Sequence, residues 1–370
     1  MLLTTTLCAA APAATLPQAT TPPMVPASDY FERAITNDDV NYTATRTSLF
    51  WSDSGKTRAL VAHVYKRGNK VRYVYPARGN QPTHVIIETP QDLTFISGHR
   101  VTVAHRQADP DINGIDLKLA LNNFDWRYEE STNPSRVIVA AYRPGESKPL
   151  ARFWIAPSTD MVVRAERYGD NSELRSSWLL DQVHTVDPTH LNEVLPPDQF
   201  DAKVPNMDLR EISVPTRITP QEMEKAAGFA PRAIPPAALP RGYQLADVFL
   251  EQNKGSNSVR MVYSDGLDSF SLLEAPNRHK NTMLNAGREV QVLDTTAQVV
   301  TSAEANIVHW QDKDRIYTMI GSQSQAQLMD ILRGIIVVDH PPPAPPPRRS
   351  FGQVLAHGWN RLLHMLSTER

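Results

Sequence analysis

Short apolar runs that alternate with polar residues dominate the first half of the chain. Tyr42 to Trp51, Thr57 to Tyr65, Lys70 to Tyr75, His84 to Glu88, Leu93 to Ile96 and Arg100 to His105 are rich in β-branched and aromatic residues, with Asp-Ser-Gly, Arg-Gly-Asn and Ser-Gly turn signals between them. In the third run Val71, Tyr73 and Tyr75 share one face and Lys70 and Arg72 the other, which predicts one buried and one wet face. Ser28 to Ile35 carries a capping residue and helical spacing, and a second helix is predicted from Gly114 to Asn122. Strands resume at Trp126, Arg136 to Tyr142, Ala151 to Ile155, Met161 to Tyr168 and Ser176 to Val186. Consecutive strands with short connections predict a large antiparallel meander, and a sheet of that size protects its apolar face by curling around something; a curved sheet closing on a helix is the simplest solution.

The pattern then changes. Leu195 to Arg217 is proline-rich and lacks periodicity, as a linker would. Thr219-Pro220-Gln221-Glu222 announces a helix with a cap, a proline at its first position and acidic residues in the first turn, and Gly228 stands at its end. Val259 to Tyr263 and Phe270 to Leu273 flank Ser264-Asp265-Gly266, which is hairpin-turn chemistry. Strands follow near Glu289 to Leu293, Gln298 to Thr301, Ala305 to Trp310 and Arg315 to Ile320, with a closing helix from Ser324 to about Arg333. The class is α+β. The expected division is a signal remnant and tail segment over 1–26, a first domain over 27–200, a linker over 201–217, a smaller α+β domain over 218–340, and a proline-rich spacer with an amphipathic tail helix over 341–370.

At 370 residues the chain is long enough for two domains with separate cores. A formal net charge of −2 with scattered Lys and Arg argues against a nucleic-acid partner. Met1 to Ala14 is apolar and small-residue rich, and Ala11-Pro12-Ala13 fits a secretory cleavage pattern, so an extracytoplasmic, periplasmic location is expected. Cys8, the single cysteine, lies in that segment, which leaves the remainder without disulfide, thiolate metal site or cysteine nucleophile. No run of 18 or more apolar residues follows. At the far end Phe351, Val354, Leu355, Trp359, Leu362, Leu363 and Leu366 recur at helical spacing, a pattern that suits a membrane surface, a partner groove or the chain's own surface.

Motifs for catalysis are missing: there is no G-x-S-x-G, no S-x-x-K and no H-E-x-x-H, nor a glycine loop for phosphate, so neither an enzyme nor a cofactor is expected. Asp109-Pro110-Asp111-Ile112-Asn113-Gly114 begins like a calcium loop, but Ala120 falls where the closing carboxylate should be, so the better reading is a surface turn. His99 and His105 lack a third ligand, and His309 sits on a strand expected to be structural.

Two motif sets carry a family resemblance. Leu239-Pro240-Arg241-Gly242-Tyr243 followed by Tyr263-Ser264-Asp265-Gly266-Leu267 resembles the C-terminal domain of the MucB/RseB family of sigma-factor regulatory proteins. Arg152-Phe153-Trp154-Ile155, a turn, and Val162-Val163-Arg164-Ala165-Glu166 resemble a hairpin of the family's N-terminal domain, which is similar to the carriers LolA and LolB; Asp160 stands where that family commonly has glycine. The resemblance implies an unclosed half-barrel with an apolar concave side, a membrane-anchored anti-sigma factor as partner, and a lipid-like ligand. Trp51, Tyr65, Tyr73, Phe95, Trp126 and Trp154 are the candidate lipid-binding residues, and Tyr263, Asp265, Leu267 and Phe270 the candidate partner-binding residues. The alternative is a periplasmic lipid or lipoprotein carrier.

Overall fold

The computed structural model describes residues 25–339 apart from short internal stretches, of which 106–114, 202–207 and 278–286 are the longest. The N-terminal segment, the Asp109 to Gly114 motif and the tail from Phe351 to Leu366 therefore lie outside the described residues.

Helix α1 (Ala27–Ile35) opens the fold, followed by β1 (Tyr42–Trp51), β2 (Thr57–Arg67), β3 (Lys70–Tyr75), β4 (His84–Glu88), β5 (Asp92–Ser97) and β6 (Arg100–His105). After α2 (Leu117–Asn123) come β7 (Asp125–Glu129), β8 (Val137–Tyr142), β9 (Pro149–Ala156), β10 (Met161–Tyr168) and β11 (Leu174–Thr185). These strands form two meanders, joined because β1 pairs on one side with β2 and on the other with β11. With β12 (Asp208–Glu211) the result is an open sheet of 12 strands in the order β12-β6-β5-β4-β3-β2-β1-β11-β10-β9-β8-β7. All pairs are antiparallel except β12 with β6. Within the segment expected to be the linker, four consecutive residues pair along β6.

Both faces of this sheet are covered, each in a different half. The α1 residues Ala27, Tyr30, Phe31, Ala34 and Ile35 recur at helical spacing and lie against β7 to β10. Phe31 is fully buried; its ring centroid is 4.1 Å from that of Trp126 and 4.6 Å from that of Phe153. On the opposite face of β3 to β6, Val85, Ile87, Ile96, Val101 and Val103 pack beneath Leu195 and Phe200, which follow α3 (Leu191–Val194). Arg67 fixes this cover by donating to the Leu195 carbonyl at 2.5 Å and to Asn192 at 2.8 Å, and Arg72 donates to the Gln199 carbonyl at 3.0 Å. The face carrying Arg72, expected to be wet, is thus roofed by the chain; period-two alternation identifies two faces but does not say that a later segment returns to cover the polar one.

The second sheet has eight strands in the order β13-β14-β15-β16-β20-β19-β18-β17, built from β13 (Thr216–Arg217), β14 (Gln244–Asn253), β15 (Ser256–Ser264), β16 (Ser269–Pro276), β17 (Arg288–Val292), β18 (Thr295–Thr301), β19 (Asn306–Gln311) and β20 (Arg315–Gly321). α4 (Met223–Ala227) and α5 (Gln325–Asp339) cover its core, in which Val259, Met261, Leu272, Met319 and Leu328 are buried. The Thr219–Glu222 capping box forms, and Gly228 ends α4 in the left-handed region at φ 76°. Within the core the fully buried Glu274 accepts from the Arg232 backbone N–H at 2.7 Å and from Arg315 at 3.1 Å. Pairing with an arginine offsets the cost of burying that carboxylate.

If residues 186–200 are an integral roof, Phe200→Ala should destabilise the protein by about 3 kcal/mol, the usual cost of emptying a fully buried aromatic site. Urea denaturation measures this; a change within about 0.5 kcal/mol, as at an exposed site, would reduce the segment to a loose tether.

Candidate functional site

Two places in the fold bring chemistry together: a cavity on the first sheet and the junction between the sheets.

The cavity has a volume of about 410 Å³ and lies between the end of α1 (Ala34, Ile35) and strands β1, β2, β3 and β11. Tyr42, Val64, Tyr73 and Trp178 supply its apolar wall, and Arg46 and Lys66 enter it from neighbouring strands. Alternation explains the grouping: Tyr42, Ala44 and Arg46 on β1 stand opposite Lys66, Val64 and Ala62 on β2, so all six share a face. Lys66 donates to the Asn37 carbonyl at 2.7 Å and lies 3.5 Å from Asp38; burial lowers its pKa, against the opposing pull of Asp38. Arg46 lies 4.8 Å from the Trp178 ring centroid and 5.6 Å from that of Tyr73. Burial pushes the Tyr42 hydroxyl up to about 12 and raises that of Tyr73 further, so both stay protonated donors.

Of the six aromatic residues expected to bind lipid, Tyr73 lines this cavity. Phe95 shares its face, in the row Tyr73–Ile86–Phe95 set by the register of β3, β4 and β5, and is 42% exposed. The other four lie elsewhere. Trp126 is stacked in the core on Phe31, Tyr65 packs on the roofed opposite face, Trp154 lies beneath the Arg164 guanidinium at 4.4 Å, and Trp51 lines a smaller cavity between the sheets. The cavity's Arg46, Lys66, Tyr42 and Trp178 are missed by a search for aromatic strand residues. Even-numbered spacing along β1 was the available signal, but choosing that face requires knowing which strands are neighbours.

Asp160, at the hairpin turn that departs from the family pattern, adopts a left-handed φ of 48° and ion-pairs with Arg33 at 2.9 Å. It keeps a glycine-like backbone and adds a tie to α1. His99 sits in the turn between β5 and β6, while buried His309 has its Nδ1 2.9 Å from the Thr318 hydroxyl. Among the described residues no three His, Cys, Asp or Glu side chains are grouped to hold a metal, and no helix is long and apolar enough to cross a membrane.

The junction is built by the second sheet's hairpin. Tyr263, Asp265, Leu267 and Phe270, the residues expected to meet a partner, are all below 5% exposed. Their contacts are within the chain. Leu267 enters the first sheet's core cluster, beside Ala120 and Phe124 of the α2 region. Tyr263 stacks on Phe270 with centroids 5.1 Å apart, and its hydroxyl accepts from the Ile234 N–H at 2.7 Å. Gly266, at φ 102°, lies so close to α2 that a Cβ there would overlap the Ala120 backbone. Asn123 at the end of α2 donates to the carbonyls of Asp265 (2.9 Å) and Gly242 (3.0 Å), so both halves of the motif pair meet one side chain. Arg241 adds a hydrogen bond to the Pro144 carbonyl at 3.0 Å. A second tie lies at α5, whose Gln325 N–H donates to Asp53 at 2.5 Å while Arg175 ion-pairs with the same carboxylate.

Burial pushes the Asp265 carboxyl up to about 6, although the N–H groups of Asp268 and Leu267 that it accepts at 2.8 and 2.9 Å work in the opposite direction. A carboxyl whose folded value is raised favours the folded state when protonated. Its contribution is therefore fully present below the ordinary carboxylate range and is lost as pH rises through about 6. Stability should increase by about 1–2 kcal/mol on going from pH 7 to pH 5 through this group. Asp265→Asn, which keeps an accepting Oδ1, should flatten that part of the profile; an unchanged pH profile in denaturation experiments would show that Asp265 is not its source.

No family model matches the sequence, and no curated protein does. Among solved structures, the chain is similar to the Pseudomonas aeruginosa MucA/MucB complex at 14% identity and a TM-score of 0.49, covering 81% of this chain and 95% of that one. It is likewise similar to MucB in complex with MucA(peri), at 13% identity and a TM-score of 0.48, covering 82% of this chain and 96% of that one. A LolA superfamily protein from Nitrosomonas europaea matches 45% of this chain and 97% of its own at 13% identity and a TM-score of 0.25. The chain whose motifs resemble the MucB/RseB family is thus similar, along most of its length, to solved structures of MucB.

Proposed function

We propose that this protein is an extracytoplasmic regulatory binding protein of the MucB/RseB kind. It holds the extracytoplasmic segment of a membrane-anchored anti-sigma factor and responds to a lipid-like ligand, so that envelope stress modulates sigma-factor signalling. The open sheet over α1 is its LolA-like half-barrel, and residues 218–340 form the companion domain.

One observation carries this reading: the motifs that resemble the family are the residues that fasten the second sheet to the first. Gly242, Asp265, Gly266 and Leu267 all meet α2 or the core behind it. A chain that only carried lipid would have no use for that fixture. The cavity supports a ligand role, since each methylene buried in it contributes about 0.8 kcal/mol. Regulation then requires that the ligand bind the partner-free form better than the partner-bound one.

The carrier alternative is favoured by the cavity alone and predicts that the junction is dispensable. The test uses the whole protein and a soluble extracytoplasmic segment of an anti-sigma factor from the same genome. Binding should be measurable, and Gly266→Val, which displaces the hairpin from α2, should weaken it at least about tenfold. Absence of binding by the unaltered protein, alongside uptake of acylated lipoprotein, would replace the regulator with the carrier.

A further inference from the structure

The cavity is electrically lopsided. At one end Lys66 is answered by the Asn37 carbonyl and Asp38, and Glu88 shares its register row through Val71. At the other end stands Arg46. Among the described residues it makes no ion pair: its Nη1 hydrogen-bonds the Tyr73 hydroxyl at 3.4 Å, a long contact, and its buried Nε has no acceptor. A guanidinium is always charged and presents its N–H groups as a planar fork that matches a carboxylate. Held between the faces of Tyr73 and Trp178, this fork opens into a cavity lined mostly by apolar groups.

The row between the two ends is apolar and continuous. Ala44, Val64, Tyr73, Ile86 and Phe95 stand opposite one another on β1 to β5, and the row emerges at Phe95 with Leu93 beside it, the two being 42% and 36% exposed. Phe95, stacked on His84 with ring centroids 5.7 Å apart, and Leu93 thus form an apolar rim on the same face of the sheet as the cavity. At about 410 Å³ the cavity lies near the lower end of the roughly 300–1,000 Å³ typical of small-molecule sites, which suits one chain and a small head.

Resting on the lipid-ligand reading above, we infer that the cavity takes a single-chain organic acid head first. Its carboxylate is received by Arg46 between Tyr73 and Trp178, and its alkyl chain follows the Val64–Tyr73–Ile86–Phe95 row out to the surface.

The experiment titrates the delipidated full-length protein with dodecanoate and with dodecanol, which share a chain and differ in the head, following tryptophan fluorescence and calorimetry. Dodecanoate should bind at least about tenfold tighter than dodecanol. Arg46→Met should abolish that preference while leaving dodecanol binding in place, which also shows that the variant is folded; Arg46→Lys should retain part of it. Phe95→Ser should weaken hexadecanoate more than dodecanoate, since the longer chain reaches the rim. Equal binding of acid and alcohol by the unaltered protein, or an undiminished preference in Arg46→Met, overturns the head-first site while leaving the lipid-ligand reading standing. Failure of both amphiphiles to bind overturns the lipid reading itself.

Discussion

The two sheets meet where a glycine touches the backbone of a helix. Gly266 reaches α2 at a distance that no side chain would permit, and Leu267 thereby enters a core that belongs to the first sheet. Much else depends on this approach. Asn123 has its two carbonyl acceptors only because the hairpin stands there, and Asp265 is buried, with a raised pKa, because the hairpin roots are enclosed. An unusual backbone conformation in a turn would ordinarily serve the turn itself; at Gly266 it also serves the packing of one half of the molecule on the other.

Much of this fold was legible in the sequence. Strands with alternating apolar positions, the Thr219 cap and the Ser264-Asp265-Gly266 turn all correspond to local physics, and local physics is what a sequence displays. Features made by distant residues were harder to see. β12 carries no periodic signal and exists because β6 offers an edge, and Leu195 and Phe200 look like part of a proline-rich connection until the face beneath them is known. The candidate residues divide in the same way. Tyr73 and Phe95 fall on the cavity face, whereas Tyr65 shares their composition and strand propensity yet lies on the other side of the sheet. Composition cannot distinguish them; register does.

The four hairpin residues are instructive for a different reason. Their motif resembled that of a binding protein, and a surface role was the natural expectation. All four are below 5% exposed, and the contacts they make are within the chain. A recurring motif identifies residues that a fold needs in fixed chemistry, and that need is met as readily by joining two parts of one chain as by recognising another.

Strand β1 carries Arg46 near its middle, ends at Trp51 beside the cavity between the sheets, and runs into the turn that holds Asp53 against the first residue of α5. It is paired along both edges. A ribbon so held cannot slip by one residue without exchanging its faces, and slipping by two would break every rung on both sides. The Arg46 cavity and the α5 tie are therefore two stations on one shaft. Arg46 and Asp53 are borne by one strand and its following turn, and that strand is fixed in register by rungs along either side.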